Sequence, residues 1–94
     1  MKVRFTKTAE KEIYDILGRI AKENVTAAQE VSEAIENTIR AIQNHPRMAL
    51  IVHPIEVRAV NVRGYGYRIF YAIGSEVLSI RNVRMMRQQR PWEA

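Results

Sequence analysis

The 94-residue chain contains no cysteine. Disulfides and thiolate metal sites are therefore excluded. Histidine is nearly absent: there are only His45 and His53, both ahead of the strand-like C-terminal half. No apolar run approaches the roughly 20 residues needed to cross a bilayer. Met1-Lys2-Val3-Arg4-Phe5 lacks the apolar segment of a signal peptide and reads as a strand, so a cytoplasmic location with no membrane partner is expected. No glycine-rich phosphate loop, nucleophile triad, metal-ligand cluster or helix-turn-helix pattern occurs, and neither a metal nor a cofactor is expected. At this length the chain makes one domain over 1–94, with 85–94 as a basic C-terminal tail.

Acidic residues are missing from one half. From Arg58 to Arg90 there are seven arginines and one acid, Glu76, whereas Lys7 to Glu36 carries seven acids and four bases. The overall charge of +5 is thus concentrated in the C-terminal half and carried there wholly by arginine. Guanidinium groups suit planar, bidentate contact with phosphate or carboxylate better than lysine does. An acidic partner is implied, and nucleic acid and an acidic protein segment both satisfy it.

The hydrophobic pattern gives the elements. Val3 and Phe5 alternate with Lys2, Arg4 and Thr6, a short strand with one buried face. Ala9, Ile13, Ile16, Leu17 and Ile20 form one helical stripe, capped by Thr6 or Thr8. Thr26-Ala27-Ala28-Gln29 matches a capping box and predicts the start of a second helix. Its stripe is Ala28, Val31, Ile35, Thr38, Ile39 and Ile42, and Asn44-His45-Pro46 ends it. Two such helices joined by about three residues predict an antiparallel hairpin. Arg47 to Pro54, bracketed by prolines, reads as a connection laid on the core. Glu56 to Val62 reads as a strand whose alternation slips, the mark of a bulge. Tyr67, Ile69, Tyr71 and Ile73 alternate with Arg68, Phe70 and Ala72, then Gly74-Ser75 turns the chain into Val77 to Arg84. The expected fold is α+β: an N-terminal strand, an antiparallel helical hairpin, then a three-stranded antiparallel meander, with both helices on one sheet face. The first strand cannot pair locally and is expected beside a later one.

Tyr67-Arg68-Ile69-Phe70-Tyr71, the short turn, and Ile80-x-x-Val83-Arg84 ahead of an arginine-rich tail resemble the RelE/ParE superfamily. Its members are the small toxins of type II toxin–antitoxin pairs. The resemblance covers nearly the whole chain and implies the same fold. It also implies a cognate antitoxin with an acidic, partly disordered segment, and contact with operator DNA only through that antitoxin. In the messenger-cleaving branch the arginine of the Tyr-Arg-x-x-Tyr pattern, here Arg68, contacts the scissile phosphate, where it stabilises a pentavalent phosphorane. Arg81 and Arg84 are the further phosphate ligands of that reading, which would require the ribosome and messenger RNA as partners.

Ribonuclease chemistry also needs a proton acceptor and a donor. Relatives commonly place a histidine after the Val-Arg of the last strand; this chain has Met85 there. That branch often adds a lysine pair on the preceding strand and a C-terminal tyrosine, where this chain has Arg58, Arg63 and Trp92. The resemblance is therefore closer to the ParE branch, which inhibits DNA gyrase by binding. A messenger endonuclease is the alternative, and a non-toxic antitoxin partner or corepressor is the third reading. The candidate binding set is Arg58, Arg68, Arg81, Arg84, Arg87, Arg90 and Trp92, with no catalytic residue assigned unless the chain is a ribonuclease. Each arginine also fits a solvated sheet or tail position. Arg81 and Arg84 have opposite parity along a regular strand, so one face holds both only if that strand twists or ends. Met85, Met86 and Trp92 suit docking onto the chain's own core or burial under a partner.

Overall fold

The computed structural model describes residues 1–53, 55–88 and 90–93. The elements are β1 (Lys2–Phe5), α1 (Lys7–Glu23), α2 (Val25–Asn44), β2 (Ile51–His53), β3 (Val57–Val62), β4 (Tyr67–Ile73) and β5 (Val77–Met85). They build one five-stranded sheet in the order β1-β5-β4-β3-β2. The expected antiparallel meander is β3-β4-β5, and the helical hairpin packs on one face of it. β1 enters beside β5 and runs parallel to it, so the sheet is mixed. Parallel neighbours need a long connection, and here the helical hairpin and three strands separate β1 from β5 in the chain.

Three local readings are corrected. The stretch read as a connection contains β2, a three-residue edge strand paired to β3. The helices are joined by Asn24 alone, which ends α1 and caps α2 by accepting from the Ala27 backbone N–H at 2.9 Å. Thr26 lies inside α2, so the capping-box match is not the cap in use. Thr6 caps α1, accepting from the Ala9 N–H at 3.0 Å. The third correction concerns β3, which pairs with β4 in unbroken register from Arg58 to Val62 and carries no bulge there. Its alternation slips for another reason: Val60 and Val62 face the helices, and Val57 is buried on the opposite face, where the C-terminal tail covers it. The turn after β4 takes three residues, with Glu76 at φ 61°, the left-handed position of such loops.

The core lies between helices and sheet. Ile16, Val31, Ile35, Ile39 and Ile42 meet Val62, Ile69, Tyr71, Leu78, Ile80 and Val83, all buried, while Ile13, Leu17, Ile20 and Val60 are half-buried against them. These are the stripes expected from the sequence.

Tyr71 and Arg58 share this face and pin the loop after α2. The Tyr71 hydroxyl donates to the Pro46 carbonyl at 2.7 Å, and Arg58 Nη1 donates to the Ala49 carbonyl at 2.6 Å. Burial raises the Tyr71 pKa above the usual tyrosine value, opposed by the Arg58 charge and a backbone hydrogen bond at Ala49. A raised folded-state value favours the neutral phenol in the folded protein. Its contribution is complete below the unfolded tyrosine value of about 10 and is lost as pH rises through the folded one. Tyr71→Phe is expected to cost about 1 kcal/mol near neutral pH, in line with one lost hydrogen bond. The gap between wild type and variant should narrow by about pH 11 when urea denaturation is compared with about pH 8. A gap independent of pH would contradict this.

Candidate functional site: the arginine-bearing sheet face

Cross-strand partners share a face, so the register assigns every side chain. Tyr67, Ile69, Tyr71 and Ile73 face the helices; Arg68, Phe70 and Ala72 face outward. Asn61, Arg68 and Arg84 stand directly opposite one another on β3, β4 and β5 and form one outer row. Two like charges side by side repel, and each guanidinium is separately engaged. Arg68 Nε donates to Asn61 Oδ1 at 2.9 Å. Arg84 Nε lies 3.1 Å from Glu12 Oε2.

Glu12 was not among the candidates from sequence. It belongs to the buried side of α1, four residues before Ile16 and three after Ala9, and a carboxylate on an apolar stripe is the signal that could have found it. β1 pairs with β5 only as far as Phe5 opposite Ile80. Beyond that point α1 and its cap serve the exposed edge of β5. Thr6 Oγ1 donates to the Arg81 carbonyl at 2.9 Å, and Glu12 Oε1 accepts from the Val83 N–H and from Asn82 Nδ2, both at 3.1 Å.

Arg81 is the extra residue of a β-bulge. Phe70 is opposite Asn82 and Tyr71 is opposite Ile80, leaving Arg81 between them. The bulge inverts the parity of the strand, so Val83 and Met85 face inward while Asn82 and Arg84 face outward. The parity conflict between Arg81 and Arg84 is resolved by this insertion. The Arg81 side chain is exposed and borders a groove of roughly 270 Å³ with Thr6, His53, Val57, Asn82 and Trp92.

The tail doubles back over this face. The Met86 N–H donates to the Gly66 carbonyl at 2.8 Å, fixing where the chain leaves β5. The Trp92 ring centroid then lies 4.5 Å from that of His53 and 5.7 Å from that of Phe70, edge-on to the latter. Trp92 thus docks on its own domain, with about a third of its surface still exposed. The Arg90 guanidinium is 6.0 Å from the Trp92 ring, and its Nε is 3.9 Å from Glu93 in an exposed pair. Arg87 is exposed in the turn after β5. Arg58 is not part of this surface; it lies on the helix-side face, bound to loop carbonyls. The outer face therefore gathers Arg68, Arg81 and Arg84, with Trp92 and its flanking arginines beside them. Among the described residues no cluster of three or more acidic or histidine side chains could hold a metal ion, and no helix is long and apolar enough to cross a membrane.

A mixed five-stranded sheet with two helices on one face and a basic opposite face defines the RelE/ParE-like fold. Residues 3–90 match the family described as ParE toxin of type II toxin-antitoxin system, parDE. The chain belongs to this family and is a ParE-type toxin of a type II toxin–antitoxin system. Similar solved structures carry the same fold. One, from the chromosomal ParDE system of P. aeruginosa, has a TM-score of 0.78 at 11% identity, covering 90% of this chain and 95% of that one. Another, from the intact E. coli RelBE toxin-antitoxin complex, has a TM-score of 0.62 at 20% identity, covering 95% and 98%. The YoeB/ParE toxin from Agrobacterium tumefaciens has a TM-score of 0.60 at 15% identity, covering 90% and 98%. No protein with a curated description matches the sequence.

Proposed function

We propose that this toxin acts by binding, with DNA gyrase as its target, and that a cognate antitoxin with an acidic segment neutralises it. The observation that carries this reading is the lack of an available proton-transfer group around Arg68 among the described residues. Its cross-strand neighbours are Asn61 and Arg84. Tyr67 and Tyr71 face the helices, and Tyr65 lies in the preceding turn with its hydroxyl 3.5 Å from Glu30. His53 pairs with Val57, four residues along β3 from Asn61 and so about 13 Å away, and its ring packs on Trp92. Glu12 is the carboxylate beside Arg84, and both of its oxygens are taken. Proton transfer is typically worth about 10²- to 10⁴-fold in rate for each group. Messenger cleavage without it would be too slow to matter, whereas binding needs only an anchored basic and apolar surface.

The antitoxin part of the reading is supported by charge. Arg68 and Arg81 on the sheet, and Arg87 and Arg90 in the tail, present positive groups to which an acidic, partly disordered segment can fold. The ParDE and RelBE systems are themselves toxin–antitoxin pairs. The deciding experiment is a pair of assays on purified protein: supercoiling by gyrase and messenger cleavage on programmed ribosomes. Loss of supercoiling with intact messenger is expected. Cut messenger with unaffected supercoiling would return Arg68, Arg81 and Arg84 to the role of phosphate ligands in an endonuclease.

A further inference from the structure

We infer that Glu12 is an internal counter-anion: its carboxylate occupies an oxyanion cradle formed by Asn82, Val83 and Arg84 and so keeps phosphodiesters away from Arg84. The inference deepens the reading of this protein as a binding toxin, because it concerns the ligand class that the arginine face accepts.

Two hydrogen bonds and one guanidinium charge converge on one planar anion. Asn82 Nδ2 and the Val83 N–H both reach Oε1 at 3.1 Å, and Arg84 Nε lies 3.1 Å from Oε2. A backbone amide and a side-chain amide that donate to one oxygen, with a guanidinium beside the other, suit a carboxylate or a phosphate. The bulge at Arg81 creates the set, since without it Asn82 and Arg84 would point to the helix side. The cradle sits at the surface: the Glu12 side chain is 21% exposed and that of Arg84 is 29% exposed. In this chain α1 supplies the anion in cis, and Arg84 Nε is covered.

The consequence is selective. Arg68 and Arg84 are cross-strand partners, the spacing from which a two-guanidinium clamp on one phosphodiester could be built. Glu12 neutralises one half of that pair. Arg68 donates to the neutral Asn61 amide and keeps its charge for a partner.

The test uses a short fluorescent oligouridylate at low salt, with anisotropy as the readout, on the full-length protein and four variants. Glu12→Gln keeps an acceptor for Asn82 and Val83 while removing the negative charge. It is expected to bind RNA about tenfold more tightly than wild type, the size of one added charge-assisted hydrogen bond. Glu12→Gln/Arg84→Gln should return to the wild-type affinity. Arg84→Gln alone should bind like wild type, whereas Arg68→Gln should bind several-fold more weakly. A folded Glu12→Gln with no gain, or a gain that survives in the double variant, overturns the proposal. Should Glu12→Gln fail to fold, the two single arginine variants decide. Equal weakening by Arg84→Gln and Arg68→Gln means that Arg84 is already open to phosphate and the inference is wrong. Gyrase supercoiling measured on the same proteins is independent of these outcomes, so failure here leaves the proposed target untouched.

Discussion

Leu78→Ala is expected to destabilise the protein by about 2–5 kcal/mol, and Leu17→Ala by clearly less. The two substitutions delete the same atoms, so the difference isolates burial. Leu78 lies on β5 between β1 and β4, with no exposed surface, opposite Ile73 on one side and Val3 on the other. Strands flank it on both sides and helices cover it, so a cavity there cannot collapse. Leu17 is half-buried and borders a small open groove with Phe5, Ile13 and Ile35. Water can fill that space at once, leaving mainly the transfer term. Domains of this size are stable by about 5–15 kcal/mol, so Leu78→Ala brings the chain close to unfolding. Urea denaturation with unchanged m-values measures both. Equal losses would mean that the helix stripe and the sheet centre are equally tight, against the packing described.

What could be read from sequence divides along physical lines. The period-two alternation of Tyr67 to Ile73 and the helical stripes through Ile16 and Ile35 were legible, because one-sided burial writes itself into hydrophobic spacing. β2 was not, because three residues at a sheet edge are too few to show a period. Asn24 is hidden as a cap because a single linking residue leaves no room for the expected loop, and Thr26 offers a better-known pattern. Among site residues, Arg68 was placed correctly on the outward face by alternation alone. Arg81 and Arg84 could not be, because a bulge inserts one residue and reverses every side chain after it. Glu12 escaped for a different reason. Its partners on β5 lie about seventy positions away, and a glutamate near a helix start already has a local explanation in the helix dipole. Self-docking of Trp92 was legible as one of two options, and the aromatic contacts with His53 and Phe70 select it.

Trp92→Ala is expected to raise the concentration of toxin needed to inhibit supercoiling by at least tenfold while the protein stays folded. The expectation rests on the proposed gyrase target and on where the ring sits. Trp92 is held against Phe70 and His53 yet keeps about a third of its surface exposed, flanked by Arg90 and close to the exposed Arg81. A rigid, partly exposed tryptophan with guanidinium neighbours is the kind of anchor that dominates interface energies, at about 2 kcal/mol or more on truncation. The same contacts give it a structural share. Full burial of a tryptophan is worth about 3–5 kcal/mol against alanine, so a ring only partly covered should cost less, on the order of 1–3 kcal/mol. Deleting residues 87–94 is a poorer experiment, although the tail lies outside the core stripes. Removal would also uncover Val57 and Phe70, both buried, and create an apolar patch on the sheet. The substitution should therefore be paired with Arg87→Ala/Arg90→Ala, which leaves the ring in place. Urea denaturation reports stability, and supercoiling titrations on the same samples report inhibition. Loss of inhibition in Trp92→Ala at temperatures where it is fully folded supports the tail as the target-binding element. Undiminished inhibition by folded Trp92→Ala would assign the ring to covering the sheet alone and move the search for the contact surface to Arg68 and Arg81.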